Sequence, residues 1–206
     1  MILLANPNAD TRMTRVMCDI AARHLALVRG WTAANGPLVI QMPSELQRAA
    51  QQVALLVPPR GCRGVIVSAF GDPGAVALAA RLSCPVLGIG AAAAMAAGAG
   101  GRSFAVATTT PYLAAGIDAL MSAHAGQGRY LGCFLTEGPA LAVMGDPTAL
   151  DRALLIAATR AADAGAQAVI IGGGPLAQAA ERIAPLCPVP LIQPIPEAAR
   201  LIGRMT

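Results

Sequence analysis

The chain has 206 residues, 55% of them hydrophobic and 13% charged, which excludes disorder and favours a well-buried sheet in one domain or two small lobes. Its net charge of +4 comes from 15 arginines against 11 acids, scattered along the chain with few aromatics, which argues against nucleic-acid binding. Lysine is absent, so Schiff-base and pyridoxal-phosphate chemistry are excluded, while five cysteines without a CxxC and a start without a basic leader point to a reduced, cytoplasmic protein.

An apolar strand is expected at Ile2 to Ala5, broken at Asn6-Pro7-Asn8. Asp10 or Thr11 then caps a helix expected to reach about Val28, with Met13, Val16, Met17, Ile20, Ala21 and His24 at helical spacing. A short strand at Trp31 to Ala34 precedes Gly36-Pro37, and a helix over Leu46 to Leu56 ends at Pro58-Pro59. Gly64 to Gly74, GVIVSAFGDPG, reads as a fully buried strand stopped by a small-residue turn. A helix over Pro73 to Leu82, a strand over Val86 to Ile89 and a helix over Ala91 to Ala99 close the first half. The uncharged run Leu82 to Gly101 is 20 residues long, enough to span a membrane, but Pro85 and five glycines divide it into strand, turn and Ala-rich helix.

The second half repeats this order. A strand at Phe104 to Ala107 ends in Thr108-Thr109-Thr110-Pro111, and a helix covers Tyr112 to Ala125. A strand around Leu131 to Leu135 is followed by a loop through Glu137, Gly138 and Pro139, then by a helix from Asp146-Pro147 to about Ala164. AVIIGGGPL, Ala168 to Leu176, mirrors the Gly64 to Gly74 element, and a helix to Leu186, a strand at Val189 to Ile192 and a helix at Pro196 to Arg204 follow. The two key strands start 104 residues apart, and Cys84-Pro85-Val86 recurs 103 residues later as Cys187-Pro188-Val189. Alternating strands and helices make an α/β fold of parallel units with right-handed crossovers. The duplication predicts two pseudo-symmetric parallel-sheet lobes around a cleft, residues 1–100 with 193–206 in one and 101–192 in the other.

In such sheets ligands gather beyond the carboxyl ends of the strands. The candidate ligand contacts are therefore Asn6 and Asn8, Phe70 and Gly71, Thr108, Thr109 and Thr110, and Gly172, Gly173 and Gly174. The threonine turn offers hydroxyls and N–H groups before a helix, suited to a carboxylate or imide, and the glycines allow close approach to backbone donors. Asp72, the only acid at the key loop, is either a general base or a cap for the following helix or its turn. Gly88-Ile89-Gly90 loosely fits a dinucleotide fingerprint but lacks the acid about 20 residues on that ribose binding needs, so it reads as a tight turn. His24 and His124 have no partners at metal-ligand spacing, and no metal is expected.

NPNADTRMT at Asn6 to Thr14, FGDPG at Phe70 to Gly74, PVLGIGAAAAM at Pro85 to Met95, GRSFAVATT at Gly101 to Thr109 and GAQAVIIGGGPL at Gly165 to Leu176 resemble the aspartate/glutamate racemase superfamily, most closely its hydantoin and allantoin racemase branch. The resemblance implies two lobes about a pseudo-twofold axis, a small carboxylate, imide or amide ligand, no cofactor, no membrane and a homo-oligomer. It also implies two-base catalysis, one cysteine in each lobe abstracting and returning the α-proton on opposite faces of the carbon. Aligning SAFGDPG puts the first of those cysteines at Ala69, and aligning VIIGGGPL puts the second at Gly173. An arylmalonate decarboxylase similar to this family keeps the second cysteine; here neither is present, and a glutamate common after the family's GIG is Ala91. Cys62, Cys84 and Cys187 precede strands at the far end of the sheet, Cys18 lies in the first helix, and Cys133 has no assigned place. Three readings follow: an isomerase-like enzyme with diverged proton-transfer groups, a decarboxylase or lyase using Asp72, Thr109 or water as its one acid, and a silent small-molecule binder.

Overall fold

The computed structural model describes residues 1–206. Its elements run β1 (Ile2–Asn6), α1 (Thr11–Ala22), β2 (Val28–Thr32), α2 (Pro43–Ala54), β3 (Gly64–Val67), α3 (Ala75–Ala79), β4 (Val86–Gly88) and α4 (Ile89–Gly98) in the first half. The second half is β5 (Ser103–Thr108), α5 (Ala114–His124), β6 (Arg129–Leu135), α6 (Ala140–Gly145), α7 (Pro147–Asp163), β7 (Ala168–Ile171), α8 (Ala177–Ile183), β8 (Leu191–Ile192) and α9 (Pro194–Met205).

Two four-stranded parallel sheets result, ordered β2-β1-β3-β4 and β6-β5-β7-β8, so the second repeats the order of the first. The central strands β1, β3 and β7 are buried at every residue, because helices cover both faces of a parallel sheet. One cluster of 29 buried residues joins the sheets, running from Leu4 and Ile66 through Ile89 and Ala93 of α4 to Phe104 and Ile170. Helix α4 can lie between the halves because alanine and glycine keep it thin: eight of its ten residues are buried, and a β-carbon on Gly98 would sit 2.3 Å from the Ala125 carbonyl oxygen. Helix α9 packs on α1, α4, β3 and β4, where Ile202 is fully buried. The uncharged Leu82 to Gly101 run is divided between β4 and α4, and no helix is long and apolar enough to cross a membrane.

Several boundaries differ from expectation. Helix α1, capped by Asp10 through the Met13 N–H at 2.9 Å, stops at Ala22 instead of Val28, because Leu27 and Val28 already pair with Ile2. Strand β2 accordingly starts at Val28, three residues before Trp31. Residues 140–145, between the expected Glu137–Pro139 loop and the expected helix at Asp146, form α6, and Ile89, expected at the end of a strand, opens α4. Strand β8 starts only at Leu191, since Pro190 has no N–H and offers the ladder its carbonyl alone, to Val169 at 3.1 Å.

Candidate functional site

The loops after β1, β3, β5 and β7 meet at the carboxyl ends of both sheets around a small cavity of about 40 Å³. Ala69, Phe70, Asn8, Thr109, Thr110 and Gly172 through Gly174 line it, together with Val39, Ile40, Leu113, Ile117, Met144, Pro175 and Leu176. The space suits a few waters or one small polar group.

The β3 and β7 loops lie directly against each other. A β-carbon on Gly172 would stand 2.9 Å from the Phe70 ring and 2.8 Å from Val106. One on Gly174 would meet Met17 Sδ at 2.8 Å and the Ser68 carbonyl oxygen at 3.0 Å. Ala69 and Gly173 therefore occupy the middle of two facing loops and share the cavity wall. Gly173 adopts φ +147°, a region that disfavours any side chain, and its β-carbon would lie 3.2 Å from Leu176.

The other proposed contacts separate into two sets. Asn6 is fully buried and fully used: its Nδ2 donates to the Asp10 carbonyl (3.1 Å) and Thr14 Oγ1 (3.0 Å), and its Oδ1 accepts from the Asn8 N–H (3.0 Å) and Asn8 Nδ2 (2.9 Å). It braces the turn, whereas Asn8, which also accepts from the Ile40 N–H at 3.0 Å, reaches the cavity. Thr108 is likewise buried, donating to the Gly172 carbonyl at 2.8 Å and so tying β5's end to the β7 loop. Thr109, within 3.6 Å of Met144 Sδ, and Thr110 face the cavity; Thr108, Asn6 and Gly71 do not.

Asp72 stands outside the cavity wall with a role at another helix. Its Oδ1 accepts from the Gly90 N–H at 2.8 Å and its Oδ2 from the Ala91 N–H at 2.7 Å, so it caps α4 and not the helix that follows it. Gly88 and Gly90 are glycine for that reason: a β-carbon on Gly88 would fall 1.9 Å from the Asp72 carboxyl carbon. The Gly-Ile-Gly sequence is thus a cradle for a side chain of the protein's own. Burial raises the Asp72 pKa to about 6, against the two backbone hydrogen bonds that lower it.

No cysteine, histidine or acid lines the cavity. Burial, then nearby Asp19, raises Cys18 to about 11, and burial raises Cys133 to about 12 in a network where the Tyr130 hydroxyl bridges to Asp118 Oδ1 at 2.6 Å. No group of three His, Cys, Asp or Glu side chains is placed to hold a metal ion. The cavity offers hydroxyls, one amide, glycine backbone and an apolar wall. Seven of its lining residues were not among the sequence candidates: Val39 and Ile40 come from the loop between β2 and α2, Met144 from α6 and Ile117 from α5, while Leu113, Pro175 and Leu176 lie just beyond the candidate turns that follow β5 and β7.

Comparison with known proteins agrees with this geometry. The family model for Asp/Glu/hydantoin racemase matches residues 2–202. The chain is 27% identical to a hydantoin racemase of Rhizobium meliloti, with 97% of this chain and 86% of the relative covered. It is 24% identical to a hydantoin racemase of Paenarthrobacter aurescens, over 97% and 88% of the two chains. Among solved structures, allantoin racemase from Klebsiella pneumoniae superposes with a TM-score of 0.82 at 24% identity, covering 98% of this chain and 86% of the other. With the family model matched over residues 2–202 and the doubled sheet in place, the chain belongs to the Asp/Glu/hydantoin racemase family.

Proposed function

We propose that the protein is a cofactor-independent, isomerase-like member of this family that binds a small carboxylate, imide or amide between its lobes but does not racemise by the two-thiol route. The observation that carries this is the cavity wall, which holds no side chain able to exchange a proton near neutral pH. Two-base inversion needs an acid and a base on opposite faces of the carbon, and each positioned group typically supplies about 100- to 10,000-fold. With Ala69 and Gly173 at the aligned thiol positions, both contributions are absent. What remains is binding: Thr109 and Thr110 offer hydroxyls, and the open glycine loop offers N–H donors to a carbonyl or carboxylate.

The test follows each enantiomer of a hydantoin, of aspartate and of glutamate in D2O by NMR. The expected result is no α-deuteration above the buffer background, combined with a ligand-dependent rise in Tm for some small acid or imide, since a ligand of the native state stabilises it by mass action. Rapid exchange with any of these substrates overturns the proposal.

A further inference from the structure

Cys62 and Cys84 flank the β3–α3–β4 crossover at the end of the first sheet opposite the cavity. Strands β3 and β4 run side by side, with Val65 opposite Val86 and the Val65 N–H donating to the Pro85 carbonyl at 2.9 Å. Continuing that register past the strand ends sets Cys84 opposite Arg63, one residue from Cys62. The Cys62 thiol turns back onto the sheet, donating to the Gly64 carbonyl at 3.2 Å. There it is the side-chain partner of the Cys84 thiol, whose pKa is raised by burial and by the neighbouring sulfur. Both cysteines pack at the margin of the same apolar cluster, and both remain partly exposed.

We propose that Cys62 and Cys84 form a reversible dithiol–disulfide pair, a redox modification site that staples the lower ends of β3 and β4. Adjacent strands about 4.8 Å apart place residues one step out of register within the roughly 4.4–6.8 Å Cα separation that a disulfide requires, and because Cys62 lies before β3, outside the strand alternation, its side chain shares with Cys84 the face of the same apolar cluster. Oxidised glutathione serves as the oxidant. One protein thiolate attacks its disulfide, releasing one glutathione thiol and leaving a mixed disulfide; the second protein thiol then displaces the other glutathione. Two electrons and two protons leave the pair, and the Sγ–Sγ bond forms. The second half provides an internal contrast. Cys187 heads the repeated Cys-Pro-Val, but the residue two places before β7, where Cys62 stands before β3, is Ala166.

The pair also has a position that matters for the fold. The upper ends of the same two strands lead into Asp72 and into Gly88–Gly90, which the Asp72 carboxylate already joins. Oxidation would close the lower end of that frame and a loop of the intervening chain, stabilising the native state against the unfolded one.

The experiment equilibrates the full chain with reduced and oxidised glutathione at a series of ratios. Free thiols are counted in denaturant, Tm is recorded, and tryptic peptides are mapped without reduction. The expected result is a fall from five thiols to three, a linkage of the Gly61–Arg63 tripeptide to Leu82–Arg102, and a Tm roughly 5 to 10 °C above the reduced protein. Cys62→Ser and Cys84→Ser, or the alanine replacements if serine lowers the yield, abolish the shift, and Cys187→Ser keeps it. Five persisting thiols, glutathione adducts without the cross-link, or a link that uses another cysteine each overturn the proposal.

Discussion

Asp72 gives one oxygen to each of two N–H groups at the start of α4, and this contact determines its neighbours. Gly88→Ala drives a methyl group into the carboxylate and is expected to cost roughly 2–4 kcal/mol, measured by urea unfolding, from overpacking and from the stranded N–H groups. The same side chain predicts a pH effect. Its folded pKa of about 6 lies above the ordinary carboxylate value, so the native state binds this proton more tightly than the unfolded chain does. The contribution is complete below the unfolded value and is lost as pH rises through 6. The stability of the wild type minus that of Asp72→Asn is therefore expected to increase as pH is lowered from 7.5 to 4.5, and a flat difference refutes the assignment. At the two aligned thiol positions the backbone gives unequal outcomes. Ala69→Cys should fold close to normally, while Gly173→Cys, at φ +147°, should lose about 1–3 kcal/mol in the same unfolding assay.

At the scale of elements, helix α9 holds the first half together from outside its sheet. Ile202 on α9 is fully buried, its side chain lies against Gly64 at the start of β3, and Ile202→Ala is expected to cost about 2–5 kcal/mol by thermal unfolding. Much of this organisation was legible beforehand because buried parallel strands announce themselves. Gly64–Val67 and Ala168–Ile171 are continuous apolar runs followed by small-residue turns, Ser-Ala-Phe-Gly after the first and Gly-Gly-Gly after the second, and their recurrence gave away the doubled sheet. Leu25 to Val28 misled because an apolar run can continue a helical period into a strand, and only the pairing with Ile2 decides between them. Helix α6 was missed because Glu137-Gly138-Pro139 reads as a turn and the six residues of the helix are too few to show a period. In the site, the strand-end loops were readable, but the division of labour inside them was not. Asn6 and Asn8 look alike in sequence, and Thr108 and Thr109 look alike too; which member of each pair is consumed by the backbone emerges only from hydrogen bonds such as that from Thr108 to Gly172.

In the whole molecule the lobes are not free to part, because one apolar cluster runs through α4 from the first sheet to the second. This predicts a single unfolding transition, with calorimetric and van't Hoff enthalpies in agreement. The halves also meet closely where Gly172 faces Phe70 and Gly174 faces Ser68 and Met17, so the cavity is small because the seam beside it is tight. Gly174→Ala tests that link. The added methyl group meets Met17 Sδ at 2.8 Å, which a flexible side chain can yield, and the Ser68 carbonyl at 3.0 Å, which only a shift of the β3 loop can relieve. Ser68 in turn is anchored to β1, its N–H and hydroxyl both donating to the Ala5 carbonyl, at 2.8 and 2.9 Å. The strain therefore passes into the first sheet instead of dissipating in the loop. The expected outcome is a loss of roughly 1–3 kcal/mol in the one global transition, with faster amide exchange at Ser68 and Phe70 than in the wild type. Unchanged exchange at those residues would show that the second lobe alone absorbs the methyl group.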